Sequence, residues 1–198
     1  MRQGAAPVAL TPTFPLPAKA ADGTLDGLEP GWAGLLVKAQ ATAMGVDVLS
    51  GSPIGPYRPR LGPLAMSTIV AAGPSTGLFV GVQQGLIRID TPGQYSFSLR
   101  LQRNEYSAAN CSSRLGMAET RVLSQYNIGM VGQTDITFEP VAFDMKPGLY
   151  QTVVAFGCWN DGTMVGTGRL TLMVRGPADQ TLAPLRDEAI LHAVTRRE

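Results

Sequence analysis

The sequence predicts an all-β protein: an antiparallel β-sandwich of jelly-roll type, with an extended Pro-rich N-terminal arm and a short C-terminal helical tail. Three observations predict it. Tyr95, Phe97, Leu99 and Leu101 share one phase of a strict alternation, and Ser96, Ser98, Arg100 and Gln102 the other; period two is the mark of a half-buried strand. The 23 Gly and 15 Pro supply turns for many short strands. Segments of strand length then recur between Gly, Pro or Asn-Asp-Gly signals, a rhythm that suits a sandwich and not a βαβ sheet.

The arm covers residues 1–27. Pro7, Pro12, Pro15 and Pro17 disfavour helix and favour extended geometry. Val8, Leu10, Phe14 and Leu16 share one phase along it, and are candidates for docking on a neighbouring subunit as an added strand or clamp. The sandwich is placed at residues 28–177. Within it, Ala33–Leu49 reads equally as a strand pair or a short helix, and Ser50–Arg60 as a long Pro/Gly loop facing a partner. Met66–Ala72 and Gly77–Val82 are expected strands. Gly85–Asp90 forms a strand, Thr91-Pro92-Gly93 a turn, and Gln94–Leu101 its antiparallel return. Ser112–Val122, Thr134–Glu139, Pro140–Met145, Gly148–Cys158 and Gly168–Arg175 follow, with Asn160-Asp161-Gly162 as a tight turn. The tail, residues 178–198, is expected to end in a short helix and to carry a mixed-charge, solvated face.

Composition excludes several classes. A net charge of +1 gives nucleic acid no electrostatic purchase. No apolar run reaches the length of a spanning helix: Trp32–Leu49 is interrupted by Lys38, Gln40 and Asp47. The first seven residues lack a signal-peptide core, so the expectation is a mature or trimmed secreted domain, or one exported without a cleaved signal. His192 is the sole histidine and falls in the tail, which removes Ser-His-Asp and Cys-His chemistry. The acids of the body, Asp90, Glu105, Glu119, Asp135, Glu139, Asp144 and Asp161, sit at strand ends and turns, and no spacing marks a facing pair. The chain is therefore expected not to be an enzyme.

Cys111 is in phase with Leu115 and Met117, and Cys158 with Tyr150, Val154 and Phe156, so both face the core if these strands form. A disulfide would close a loop of about 46 residues and stabilise by about 3–5 kcal/mol in an oxidising compartment; two buried free thiols are the alternative. The oxygens of Asn104, Glu105, Asn160 and Asp161 suit either a hard cation or Asx-turn capping. Two cysteines make no structural zinc site, and no cofactor is expected. Trp32, Tyr57, Tyr106, Tyr126 and Trp159 are the aromatic contact candidates, Trp32 leaning to the core.

Taken together, the Leu86–Asp90 strand, the Thr91-Pro92-Gly93-Gln94-Tyr95-Ser96-Phe97 return, its echo at Met145-Lys146-Pro147-Gly148-Leu149-Tyr150 and the entry Leu28-Glu29-Pro30-Gly31-Trp32 resemble the β-sandwich module first named from anthrax protective antigen. That lectin-like module also occurs in yeast adhesins, glycosidase inserts and bacterial surface proteins. The resemblance implies an adhesion or glycan-binding module at the cell surface. Its ligand would be held by the loops Asn104–Asn110 and Cys158–Thr163, through Asn104, Glu105, Tyr106, Trp159, Asn160 and Asp161. One departure matters: no Asp-Asp pair occurs in the chain, so calcium-dependent sugar binding of that family's kind is not expected. The alternative function is a structural subunit of a filament, pilus or virion, assembling through the arm.

Overall fold

The computed structural model describes residues 7–18, 25, 27–42, 45–57, 59, 61–74, 77–103, 109–127, 134–160 and 163–193. In chain order the strands are β1 (Val8–Leu10), β2 (Leu28–Pro30), β3 (Ala33–Thr42), β4 (Gly45–Tyr57) and β5 (Leu64–Ala65), followed by helix α1 (Met66–Ala72). Then come β6 (Phe79–Ile89), β7 (Gly93–Gln102), β8 (Asn110–Met117), β9 (Thr120–Asn127), β10 (Asp135–Thr137) and β11 (Val141–Met145). The last are β12 (Gly148–Asn160), β13 (Thr163–Met164), β14 (Arg169–Arg175), β15 (Ala183–Pro184) and β16 (Ile190–Ala193). The protein is mostly β, and its strands form two packed sheets. One runs β1-β11-β7-β14-β15, with β10 also on β7 and β5 on β14. The other runs β2-β16-β6-β12-β8-β9, with β3 on β6, β4 on β3 and β13 on β12.

The core lies between the sheets. Phe97, Leu99 and Leu101 of β7 are buried, as the alternation requires, with Phe143, Met145 and Leu170 from the same sheet. Ile87, Ile89, Tyr150, Val154, Phe156, Leu115 and Met117 from the other sheet complete one continuous cluster. Burial of this apolar surface is the main force holding the sheets together.

The Thr91-Pro92 turn is not a hairpin. β6 pairs with β3, β12 and β16, whereas β7 pairs with β10, β11 and β14. The chain therefore crosses between sheets at this point, and it crosses back at Lys146-Pro147, between β11 and β12. Proline suits such corners because it has no N–H to leave unpaired. Each corner is tied by a tyrosine four residues on. Tyr95 Oη donates to the Thr91 carbonyl at 2.9 Å. Tyr150 Oη donates to the Lys146 carbonyl at 2.8 Å and accepts its N–H at 3.0 Å. These are tyrosine corners, and they explain why the two Pro-Gly-x-Tyr stretches echo one another.

Several expectations change. Met66–Ala72 is a helix, because Met66, Ile69 and Val70 follow the i, i+3, i+4 spacing that puts them on one face. The helix stops at Gly73, where a Cβ would stand 2.2 Å from the Phe79 ring. Ser50–Tyr57 is not a loop but the end of β4, which among the described residues pairs with β3 alone, an edge position where Pro53 and Pro56 cost little. Ser112–Val122 is a hairpin with Ala118 and Glu119 both at positive φ, 46° and 65°, the geometry of a two-residue type I′ turn.

The arm docks on its own chain. β1 lies parallel to β11, with Val8 opposite Phe143 and Leu10 opposite Met145. Leu10 is buried in the main core. Phe14 and Leu149 exchange backbone hydrogen bonds at 3.1 and 2.9 Å. Leu16 packs on a satellite cluster of Leu25, Leu149 and Leu191. Of the four residues expected to grip a neighbour, only Val8 and Phe14 remain exposed. The approach is close: a Cβ on Gly148 would stand 2.3 Å from Pro12, so glycine is required there.

The tail differs as well. It has one 3-10 turn, Asp187–Ala189, and then strand β16 between β2 and β6. Burial of Ile190 and Leu191 explains the choice, since a strand buries both, with Leu191 joining the cluster of Leu25 and Leu149. His192 is thus a sheet residue, with Nδ1 3.2 Å from the Gly31 carbonyl. Among the described residues no helix is long and apolar enough to cross a membrane.

Candidate functional site

One end of the sandwich carries the loops singled out in the sequence. Cys111 and Cys158 are directly opposed on β8 and β12 and form a disulfide, with Cα atoms 4.1 Å apart. In the next register position Asn110 faces Trp159, and Asn160 pairs with Thr163. The two predicted loops therefore meet at this end. Asn104, Glu105, Tyr106 and Asp161 lie outside the described residues.

Arg103 organises the base of the first loop. Its backbone N–H donates to the Thr134 carbonyl at 2.8 Å, and its guanidinium donates to the Ala109 carbonyl at 2.9 Å. One side chain thus ties together the two ends of the 104–108 segment. Burial pushes its pKa down from the usual arginine value, which still leaves it charged. On the other side, the Val165 N–H donates to the Cys158 carbonyl at 3.1 Å, and the Met66 N–H to the Gly168 carbonyl at 2.8 Å. Gly168 lies against the disulfide: a Cβ there would stand 2.8 Å from Cys158 Sγ. Helix α1 plugs this end with Met66 and Ile69, both 0% exposed.

Between these segments is a cleft of about 340 Å³ lined by Ser67, Gln102, Arg103, Gly166, Gly168 and Arg169. Its side chains are donors, and its glycines leave backbone open. Arg169 stands beside Gln102 across the β14–β7 pair. Gln102 also donates to Asp135, the carboxylate that Arg100 binds through Nε at 2.8 Å. Such a cleft can take hydroxyl or carboxylate oxygens.

The aromatics fall elsewhere. Trp159 is 6% exposed and packs in the main hydrophobic cluster, which leaves little of its ring open for stacking. It points to the outer side of its sheet, where strand β4 crosses over β12 and β8. Trp32 is half-buried and stands over Gly85, whose Cβ would meet its ring at 2.9 Å. Tyr57 is buried and accepts from Gln83 Nε2 at 3.2 Å, and burial pushes its phenol well above the ordinary range. A separate, larger groove of about 780 Å³ crosses the outer face of the β6–β12 sheet, with Leu35, Val37, Val82 and Val153 in its lining and Arg114, Glu119 and Arg121 alongside. Sequence reasoning missed both depressions, since each is assembled from strands distant in the chain.

No protein-family model matches the sequence, and no curated protein matches it. Solved structures do. An anti-sigma factor domain-containing protein overlays with a TM-score of 0.53 at 12% identity, over 81% of this chain and 47% of that one. The chain thus spans about half the length of that neighbour. The PA14 domain of the antifreeze protein MpAFP overlays with a TM-score of 0.52 at 16% identity, over 87% of this chain and 95% of that domain. The fold is therefore a β-sandwich of the lectin-like kind, similar to that PA14 domain in architecture. A looser overlay, TM-score 0.46 at 12% identity, covers 97% of this chain and 94% of the Epithelial Adhesin 6 A domain from Candida glabrata, solved with Galb1-3GlcNAc.

Proposed function

We propose that this protein is a non-enzymatic, extracellular glycan-binding module that holds a sugar in the polar cleft beside the disulfide. The observation that carries the reading is the lining of that cleft. Arg103, Arg169, Gln102 and Ser67 converge there with two glycines, a set of fixed donors suited to sugar oxygens and poor for apolar ligands. The disulfide supports an oxidising, extracellular setting. Calcium has no part in this binding mode, since the donors are cationic and neutral.

The test is a glycan array followed by calorimetric titration of the best glycan. Arg169→Ala is expected to lower affinity about tenfold or more, with no change on adding a chelator. An array at background throughout, or an Arg169→Ala variant that binds unchanged, overturns the reading. The second reading, an assembly subunit, retains the exposed Val8 (56%) and Phe14 (50%) as its support; light scattering on the intact chain tests it.

A further inference from the structure

The cavity between the two sheets carries an inference independent of the glycan reading. Strand β6 sends Phe79, Gly81, Gln83, Gly85, Ile87 and Ile89 toward the core in one alternating set, opposite Phe156, Val154, Thr152 and Tyr150 of β12. Gln83 is the one amide among them, and it is 2% exposed. Its Nε2 donates to Tyr57 Oη at 3.2 Å, but its Oε1 is buried with no partner. Turning the amide over would exchange the two ends and still leave one unsatisfied. Gln83 lines a cavity of about 480 Å³, with Val154 from its own sheet, Leu170 and Leu172 from the facing sheet, and Trp32 and Ile190; Arg100, Gln102, Arg169 and Thr171 also border it. Exposed Arg186 and half-buried Asp187 mark the side on which the cavity opens.

We propose that this cavity is a binding site for a small, largely apolar molecule bearing one hydrogen-bonding hydroxyl, of which a phenol is the simplest case. The volume falls within the range of small-molecule pockets. Aliphatic side chains and the Trp32 ring supply the apolar part of the wall, and the Gln83 amide supplies its buried, unpartnered polar point. A phenolic O–H donates to Oε1 and meets the one unmet demand in the wall, while the ring packs against Trp32. A hydrocarbon of the same shape leaves that demand unmet and binds less well. The cavity borders the polar cleft through Gln102 and Arg169, but Gln83, Trp32 and Leu172 belong to the cavity and do not line the cleft.

The experiment uses p-cresol and toluene as paired probes, followed by NMR at the Trp32 indole and Gln83 side-chain amide. p-Cresol is expected to shift both signals saturably and to bind about tenfold more tightly than toluene. Gln83→Leu is expected to bring the two probes to equal affinity. Leu172→Trp, which fills the cavity from the opposite sheet, is expected to abolish both and tests the site even where Gln83→Leu does not fold. Absence of any saturable shift at Trp32 up to about 10 mM probe overturns the proposal, as does equal affinity of the two probes in the unmodified protein.

Discussion

Replacing Trp159 by alanine takes a nearly fully buried indole out of the core, and the expected cost is about 3–5 kcal/mol, read as a fall in the urea midpoint. The same change at Trp32, half-buried over Gly85, is expected to cost less, because part of its ring already meets water. The order of the two effects is the check: equal losses would mean that Trp159 is not packed as the structure has it. Acidification probes a different residue. Arg100, hydrogen-bonded to Asp135, holds that carboxyl below the usual carboxylate range. A carboxyl depressed in the folded state contributes stability above its unfolded value, near about 4, and loses it as pH falls through the folded value. Asp135→Asn is therefore expected to lower Tm at about pH 6 and to have no effect near about pH 2. The shift should be small, since the pair is largely open to solvent.

At the scale of elements, the disulfide joins adjacent strands at directly opposed positions. Removing it as the Cys111→Ala, Cys158→Ala pair, or by reductant, is expected to cost about 3–4 kcal/mol by freeing the unfolded chain. The fold should survive, because β8 and β12 remain paired along six further register positions, Thr152–Gly157 against Met117–Ser112. Melting curves with and without reductant check this. Cys111 and Cys158 were legible in the sequence as core-facing, since each sits in phase with buried apolar neighbours. So were β7, β11, β12 and β14, whose alternation is local. What the sequence hid was pairing. A Pro-Gly stretch reads alike whether it closes a hairpin or carries the chain to the opposite sheet, because the difference lies in partners far away in the chain, such as Gln84 with Val153 and Phe97 with Val141. Met66–Ala72 was misread because seven apolar and small residues fit either period, and only the space at the end of the sandwich decides. Of the six residues named as a ligand set, only Trp159 and Asn160 lie among the described residues, at the end of β12. The cleft itself was invisible, since Arg103 and Arg169 come together only through the β7–β14 ladder.

On the scale of the whole molecule, the arm decides how one copy treats another. Its apolar phase was read as a grip on a neighbour, yet the sandwich spends most of it internally. β1 covers the edge of β11, Leu10 fills the core, and Phe14 caps the backbone of Leu149. Deleting residues 1–16 would uncover that edge and leave Leu149, now 3% exposed, facing water. An open edge strand beside fresh apolar surface is a template for pairing with a second chain. The truncated protein is therefore expected to melt at lower temperature, losing at least about 3 kcal/mol, and to scatter more light than the intact chain. Assembly driven by the arm demands the reverse order, with large particles from the intact chain and monomers after truncation. Light scattering on the two proteins thus separates an arm that closes its own fold from one that builds a polymer. Val8→Ser with Phe14→Ser, which alters only exposed side chains, isolates what remains: if the intact chain does assemble, this double variant should stop it without lowering Tm.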